Sequence, residues 1–155
     1  MKTLILMVGN IGSGKSTKTK KLVKQKGFVC VSRDAIRYML GSGKYIFDPK
    51  LEPLVFRITK ICVEQFLKNK INVILDETNI SKSIRKVWIK LGKQYKYKII
   101  TYVMPRLTID KCIKRRMISP HSKESKRQWE KVWEYFDLMY SEPSKKEGIN
   151  KIIKL

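Results

Sequence analysis

The stretch that decides the fold is Gly9-Asn10-Ile11-Gly12-Ser13-Gly14-Lys15-Ser16-Thr17. It satisfies the pattern G-x-x-x-x-G-K-[ST], in which glycines let consecutive backbone N–H groups curl around an anion without Cβ clashes. The apolar run Thr3–Val8 precedes it and predicts a strand buried on both faces. A helix is predicted from Lys15 to about Lys26, where Gly27 suits a C-cap, and its N-terminus adds partial positive charge. The stretch therefore predicts a loop that binds phosphate groups.

The side chains of this loop indicate a nucleoside triphosphate as the ligand. Lys15 can reach the β- and γ-phosphates, and the Ser16 hydroxyl can hold Mg²⁺. The plainer alternative is a glycine turn with an accidental lysine, but the extra glycine and the pair Ser16-Thr17 argue against it. We therefore expect ATP (or another NTP) and Mg²⁺ as cofactors, with the nucleotide bound by Gly9, Asn10, Ile11, Gly12, Ser13, Gly14, Lys15, Ser16 and Thr17.

Apolar runs alternate with amphipathic segments along the rest of the chain. This alternation predicts an α/β fold with a central parallel sheet of about five strands and helices on both faces. Ligands bind such sheets at the carboxyl ends of the strands, so the residues directly after each strand are the most informative. Further strands are predicted at 28–32, 71–75, 96–104 and 149–155, and further helices at 34–40, 50–68, 81–94 with Ser81 as its cap, 108–117 and 123–140. The aromatic face of the last helix is expected to pack in the core rather than to stack on bases.

Length and cysteine usage set the class of protein. A chain of 155 residues fits one domain, 1–155, with a core of its own. No apolar run approaches the ~20 residues needed to span a bilayer, and the N-terminal apolar run leads into the glycine loop rather than a cleavage site. The three cysteines, Cys30, Cys62 and Cys112, match no zinc or redox spacing. These features predict a cytoplasmic protein with reduced thiols and no membrane contact.

The charge points to polyanionic partners. Lys and Arg number 35 against 13 Asp and Glu, a formal net charge of +22. No acidic residue precedes Asp34, and none lies between Glu77 and Asp110. Such an excess favours binding to phosphate chains, because the release of counterions drives that association. The alternative is a lysine-rich solvated surface without a specific partner.

The segment after the second predicted strand carries the first acidic residue, in Ser32-Arg33-Asp34-Ala35-Ile36-Arg37. A kinase needs a carboxylate that accepts the proton of the attacking hydroxyl. Arg37 follows Asp34 by one helical turn, so both side chains project from the same face. They can serve as base and phosphate clamp for an acceptor, or form an i,i+3 ion pair at a helix N-terminus. The spacing leaves both interpretations open.

Two further groups complete the candidate site. Asp76-Glu77-Thr78-Asn79 follows the third strand, where a carboxylate can hold Mg²⁺ through water. Either Asp76 or Glu77 can fill this role, and an Asx turn or helix cap is the alternative. Lys114-Arg115-Arg116 ends the helix before a loop with Ser119-Pro120 and His121, which we expect at the surface. Arginines on such a lid can stabilise a transferring phosphoryl group, or simply suit a helix C-terminus.

These motifs, in this order and spacing, resemble the phage-type 5′-hydroxyl polynucleotide kinases over nearly the whole chain. The resemblance implies a three-layer P-loop kinase fold with a basic lid, ATP with Mg²⁺ as donor, and the 5′-OH of DNA or RNA as acceptor, in nucleic-acid repair. By that resemblance Asp34 is the general base, Arg37 grips the acceptor's phosphate, and Thr78 and Asn79 lie on the acceptor side. The lid departs from the family, so either Arg116, Lys123 or Arg127 replaces a second lid arginine or the lid binds less tightly.

Two other functions fit parts of the same pattern. One is a small-molecule kinase of this fold that acts on a nucleotide, nucleoside or other metabolite hydroxyl. The other is a nucleotide-dependent binding module that hydrolyses little. The charge of +22 favours the polynucleotide acceptor over a small metabolite, and Asp34 with the lid argues against a mere binding module.

Overall fold

The structure, a computed structural model, describes residues 1–118 and 124–155. Five strands form one sheet in the order β2-β3-β1-β4-β5, and every neighbouring pair is parallel. The predicted parallel sheet of about five strands is thereby confirmed. The strands are β1 Thr3–Val8, β2 Val29–Val31, β3 Val73–Leu75, β4 Lys98–Val103 and β5 Lys151–Lys154.

Within residues 1–118 and 124–155, six helices connect the strands, and their ends follow local capping chemistry. Gly27 ends the first in a left-handed conformation, as predicted. Ser81 caps the fourth through a bond from the Ile84 N–H, also as predicted. The sixth begins later than predicted, because Ser125 and Gln128 form a capping box. The helices are α1 Lys15–Lys26, α2 Arg33–Leu40, α3 Glu52–Lys68, α4 Lys82–Gln94, α5 Ile109–Ile118 and α6 Lys126–Leu138.

The third strand is shorter than predicted because residues 71 and 72 serve other partners. The Ile71 N–H bonds to the Phe66 carbonyl at the end of α3. The Asn72 side-chain oxygen accepts from the Thr3 N–H at 2.9 Å, and the Asn72 backbone carbonyl accepts from the Val29 N–H. These bonds fix the start of three strands before the ladder begins.

The sheet is covered on both faces, which gives three layers. One face packs Leu4, Leu6 and Ile99 against α3 and α4, with Trp88 of α4 fully buried. The other face packs Ile5, Met7 and Ile74 against Leu22 and Val23 of α1. Within the described ranges no helix is both long and apolar enough to cross a membrane.

The aromatic face of α6 packs against the glycine loop and α5. Trp129 forms a small core with Ile11 of the loop and Ile113 of α5. Trp133 and Phe136 of α6 flank this core. The aromatic residues of α6 therefore pack in the core as predicted, and they hold the glycine loop against α6.

A buried arginine, which the sequence pattern did not reveal, ties the loop after β3 to the C-terminal part of the chain. Arg85 is 0% exposed and donates from Nε and Nη2 to the carboxylate of Glu147 at 2.9 and 2.8 Å. Its Nη1 donates to the carbonyls of Asn79 and Ile80, both at 3.0 Å. Burial alone would raise the pKa of Glu147, but the hydrogen bonds from Arg85 and from the Ser144 N–H hold it below its usual value.

We predict that Arg85→Met lowers the free energy of unfolding by about 3–5 kcal/mol, because it leaves the Glu147 carboxylate buried without its partner. Urea unfolding at neutral pH measures the loss. Lys154→Met is the matched control, since it breaks an exposed pair with Glu142 and should leave the free energy of unfolding nearly unchanged. The pKa of Glu147 is lowered in the folded state, so the Arg85–Glu147 pair stabilises the fold at pH values above the pKa of Glu147 in the unfolded chain. This contribution is lost as the pH falls through the pKa of Glu147 in the folded protein. Equal losses for the two variants at neutral pH would contradict the account.

Candidate active site

The glycine loop joins β1 to α1 in a conformation that its glycines permit. Gly12 and Gly14 have φ angles of 67° and 97°, in the left-handed region. A Cβ at Gly12 would collide with the backbone carbonyl of Cys112 in α5. Gly14 caps α1 without a side-chain bond, and the first turn of α1 contains no acidic residue. The first N–H groups of α1 are therefore placed to bind an anion.

The side chains of Asn10 and Ile11 hold the loop in place. The Asn10 amide donates to the carbonyl of Trp133 in α6 at 2.9 Å, and Ile11 is buried against Ile113 and Trp129. The predicted contact of these two residues with a nucleotide stays a prediction.

Lys15 lies folded back over the loop. Its ammonium group donates to the carbonyls of Gly9 and Asn10 at 2.9 and 2.7 Å. Burial lowers the pKa of Lys15 to about 8, although the carboxylates of Asp76 and Asp34 oppose this shift. The lysine thus needs an additional negative charge nearby to be held fully protonated above neutral pH.

Asp76 and Glu77 differ sharply in their surroundings. The Glu77 carboxylate accepts from the Arg33 N–H at 2.8 Å and from the Arg33 Nε at 2.5 Å, so both of its oxygens are engaged. Asp76 Oδ1 is buried and lacks a hydrogen-bond partner within the described part of the chain. Burial raises the pKa of Asp76, while the Ser16 hydroxyl and Lys15 oppose the rise. Of the two carboxylates left open by the sequence, Asp76 is the one with a free oxygen beside Ser16.

An oxygen-binding cation fits this pair. Mg²⁺ is held in proteins by one or two oxygen ligands, with the remaining positions filled by water and substrate phosphates. The orphaned Asp76 Oδ1 and the neighbouring Ser16 hydroxyl are such ligands. Over residues 1–118 and 124–155, no three His, Cys, Asp or Glu side chains cluster as a metal site. A cation here would therefore depend on nucleotide phosphates to complete its shell.

Asp34 and Arg37 form the ion pair that their spacing allows. Arg37 Nη1 lies 2.6 Å from Asp34 Oδ1, and the Tyr45 hydroxyl donates to the same oxygen at 3.2 Å. The Glu52 carboxylate accepts hydrogen bonds from Arg37 Nε and Nη2 at 2.9 and 2.5 Å. The Asp34 side chain remains 42% exposed, and no hydrogen bond to its Oδ2 occurs within the described residues. The pair therefore orients Asp34 while leaving one carboxylate oxygen available to a substrate.

Tyr45 and Glu52 are site residues that sequence reasoning missed. They stand 8 and 15 residues after Arg37, in a loop and at the start of α3, so no local spacing announces them. Burial raises the pKa of Tyr45 to about 12, and the Asp34 carboxylate adds to the rise. Tyr45 thus stays protonated and keeps donating to Asp34 throughout the physiological range.

Asn79, which was expected to contact the acceptor, is buried in this structure. Asn79 is 0% exposed, and its amide donates to the Met7 carbonyl at 2.9 Å. It also takes a left-handed φ of 44°, and its carbonyl accepts from Arg85. Asn79 therefore fixes the end of β1, while Thr78, whose carbonyl accepts from the Gly9 N–H, lines the cleft.

Arg115 and Arg116 both reach the cleft from the end of α5. Arg115 Nη1 donates to the Gly12 carbonyl at 3.3 Å. The Arg116 guanidinium stacks 4.1 Å from the ring centre of Trp129, and its buried Nε has no hydrogen-bond partner within the described residues. Of the candidates for the missing lid arginine, Arg116 lines the cleft and Arg127 does not. Ser119, Pro120, His121 and Lys123 lie outside the described residues.

One cleft of about 1180 Å³ unites these groups. The glycine loop and the start of α1 form one wall, and Asp34, Arg37 and Tyr45 form another. Asp76 lies between them at the end of β3, and α6 closes the remaining side with Val132, Tyr135 and Met139 among others. A phosphate donor and a second substrate can therefore bind side by side in this cleft.

Residues 4–139 match the family model described as an AAA domain. A protein of Autographa californica nuclear polyhedrosis virus, whose name proposes a bifunctional polynucleotide kinase/RNA ligase, is 30% identical over 161 residues. That match covers 92% of this chain and 22% of the viral protein, so the chain spans about a fifth of the relative's length.

Solved structures agree on the fold. A chain of the Pnkp1/Rnl/Hen1 RNA repair complex superposes with a TM-score of 0.71 at 26% identity, covering 90% of this chain and 46% of that one. Kti12 of Chaetomium thermophilum, solved in complex with ADP-AlF3, gives a TM-score of 0.68 at 18% identity, covering 98% of this chain and 88% of that one. The predicted P-loop kinase fold and the resemblance to polynucleotide kinases are confirmed.

We predict that nucleotide binding takes up a proton above about pH 8, because the phosphate charge raises the lowered pKa of Lys15 toward its ordinary value. The affinity for ATP should then fall as the pH rises past about 8, the pKa of Lys15 in the free protein. Calorimetric titration with ATP at about pH 9, where phosphate is already deprotonated, in two buffers of different ionisation enthalpy measures the uptake. Lys15→Arg is the matched control, because arginine stays charged and binds without uptake. The same proton uptake in both proteins would refute the assignment to Lys15.

Proposed function

The chain belongs to the AAA domain family, and from that premise we propose that it transfers the γ-phosphate of ATP, or of another NTP, to the 5′-hydroxyl end of DNA or RNA. The observation that carries the proposal is Asp34, a carboxylate oriented by Arg37 and Tyr45 in the same cleft as the glycine loop. The viral relative and the RNA repair complex, by their names, support a polynucleotide as the acceptor.

The donor phosphates bind to the glycine loop. The N–H groups at the start of α1 face them, because Gly14 brings no capping side chain. Lys15 leaves the carbonyls of Gly9 and Asn10 and donates to the β- and γ-phosphates instead. Mg²⁺ would be held by Ser16 and Asp76, and when bound it neutralises phosphate charge.

The acceptor hydroxyl lies against Asp34. As its oxygen forms a bond to the γ-phosphorus, the bond from that phosphorus to the β–γ bridging oxygen breaks, and ADP leaves with that electron pair. The hydroxyl proton passes to the free Oδ2 of Asp34. Arg37 and Tyr45 both donate to Oδ1, so they direct the other oxygen toward the substrate.

Arginines of the site stabilise negative charge on both substrates. Arg37 is held by the Glu52 carboxylate, and one Nη2 hydrogen remains for a phosphate of the acceptor. Arg115 and Arg116 lie at the mouth of the glycine loop and can act on the transferring phosphoryl group. Arg116 is the residue that we assign to the role of the second lid arginine.

A small-molecule kinase remains the competing proposal, because a cleft of about 1180 Å³ also admits a metabolite. The formal charge of +22 favours the polynucleotide as the acceptor.

Transfer of labelled γ-phosphate distinguishes the polynucleotide kinase from the small-molecule kinase when the protein is given 5′-OH oligonucleotides, mononucleotides and metabolites in parallel reactions. We expect label on the 5′ end of the oligonucleotide. Label on a metabolite alone would support the competing proposal, and label on no acceptor would leave a binding module.

Asp34→Asn should lower kcat on the preferred acceptor by about 10²–10⁴, the usual contribution of a general base, with ATP affinity nearly unchanged. Asp110→Asn is the matched control, because Asp110 also lies in the first turn of a helix but outside the cleft. Single-turnover rates and calorimetric ATP titration measure the two effects. Transfer that survives in Asp34→Asn would remove Asp34 from the role of base.

A further inference from the structure

The outer side of α4 carries three exposed lysines at four-residue spacing: Lys82, Lys86 and Lys90. We name them the α4 lysine stripe. Residues four apart are neighbours on one side of a helix, and at about 1.5 Å per residue the stripe is about 12 Å long. The opposite side of the helix, with Trp88 and Leu91, is buried in the core.

The charge of the stripe is not balanced by neighbouring acids. Over the described ranges, none of the three lysines forms an ion pair, whereas Lys126 and Lys154 each do. The chain has no acidic residue from 78 to 109. Glu147 is close enough to Lys82 to feel its charge, but that carboxylate is already bound by Arg85. Because like charges at this spacing destabilise a helix, the stripe is an unfavourable arrangement that an external anion would relieve.

The stripe begins at the edge of the cleft that also contains Asp34. Ser81, which caps α4, and Ile84 both line the cleft together with Asp34 and Phe47. Lys82 directly follows this wall, and the helix leads away from it across the face of the sheet that α3 also covers. A strand that leaves the cleft on this side passes over α4.

We infer that the α4 lysine stripe binds the backbone phosphates of the acceptor strand beyond its 5′ end, an inference that rests on the proposed function. For a strand stacked as in a duplex, with a rise of about 3.4 Å per nucleotide, 12 Å takes in three or four phosphates. Phosphate contacts position a strand without reading its bases. The stripe therefore favours polynucleotides over mononucleotides as acceptors and accepts any sequence.

A second lysine face on the chain supplies a control of equal charge. Lys20, Lys21 and Lys24 of α1 are also exposed. Because α1 covers the opposite face of the sheet, these lysines lie away from the wall formed by Ser81 and Ile84. If net charge alone attracts nucleic acid, the two sets are equivalent; if the strand follows α4, they are not.

The experiment compares the triple variants K82Q/K86Q/K90Q and K20Q/K21Q/K24Q in the full chain. Both lose the same charge, and none of these residues belongs to the proposed active site. KM and kcat are measured at several salt concentrations with a single-stranded 5′-OH oligonucleotide of roughly ten nucleotides, which at about 3.4 Å per nucleotide extends past the stripe. KM for ATP, measured in the same series, reports whether the donor site and the fold are intact.

We expect the stripe variant to raise the oligonucleotide KM by about tenfold at low salt, with kcat and the KM for ATP unchanged. The slope of log KM against log salt should fall by about 2, since each single-strand phosphate contact contributes about 0.7. The α1 variant should stay near the wild type in both respects.

Three results would overturn the inference. Equal responses of the two variants would show that the charge acts without a defined path. A raised KM for ATP in the stripe variant would place the effect in the fold or the donor site. A wild type that labels no oligonucleotide would refute the proposed function, and with it the acceptor path, so the two failures are distinguishable.

Discussion

The parallel register of three neighbouring strands is the constraint on which the site depends. Leu75 of β3 pairs with Leu6 of β1 on one side and with Val31 of β2 on the other. β2 and β3 therefore end at one level of the sheet, β1 continues two residues beyond it to Val8, and the segments that follow the three strands meet at this edge. Short side chains such as those of Asp34 and Asp76 can thus lie in one cleft with Lys15, although more than 40 residues of sequence separate the two aspartates.

The electrostatics of the cleft are unbalanced without its ligands. Burial lowers the pKa of Lys15 to about 8 and raises the pKa of Asp76, so both groups are pushed toward their neutral forms. A nucleotide polyanion would favour the charged lysine, and a divalent cation would favour the charged aspartate. Opposite shifts at two adjacent groups are therefore the physical signature expected of a site that binds an anion and a cation together.

Much of the fold was readable from local sequence. The glycine loop, the period of the apolar residues and the caps at Gly27 and Ser81 predicted the sheet and most helix boundaries, because these features depend on short-range geometry. The late start of β3, at Val73, was not predictable, because Asn72 accepts hydrogen bonds from Thr3 and Val29, which are distant in the sequence.

The site was less predictable, for the same reason. Spacing placed Asp34 beside Arg37, but Tyr45 and Glu52 reach that pair only through tertiary packing. The pattern also suggested an acceptor contact for Asn79, whose burial reveals a structural role. Residues that act through a loop or a neighbouring helix leave no periodic signal in the sequence.

The central claim is that donor and acceptor meet in one cleft, with Asp34 as the base between them. A crystal structure with a non-hydrolysable ATP analogue and a 5′-OH oligonucleotide tests it most directly. The account predicts that the 5′ oxygen lies within about 3 Å of Asp34 Oδ2, in line with the γ-phosphorus held by Lys15. A 5′ end bound elsewhere, beyond hydrogen-bond reach of Asp34, would contradict this assignment.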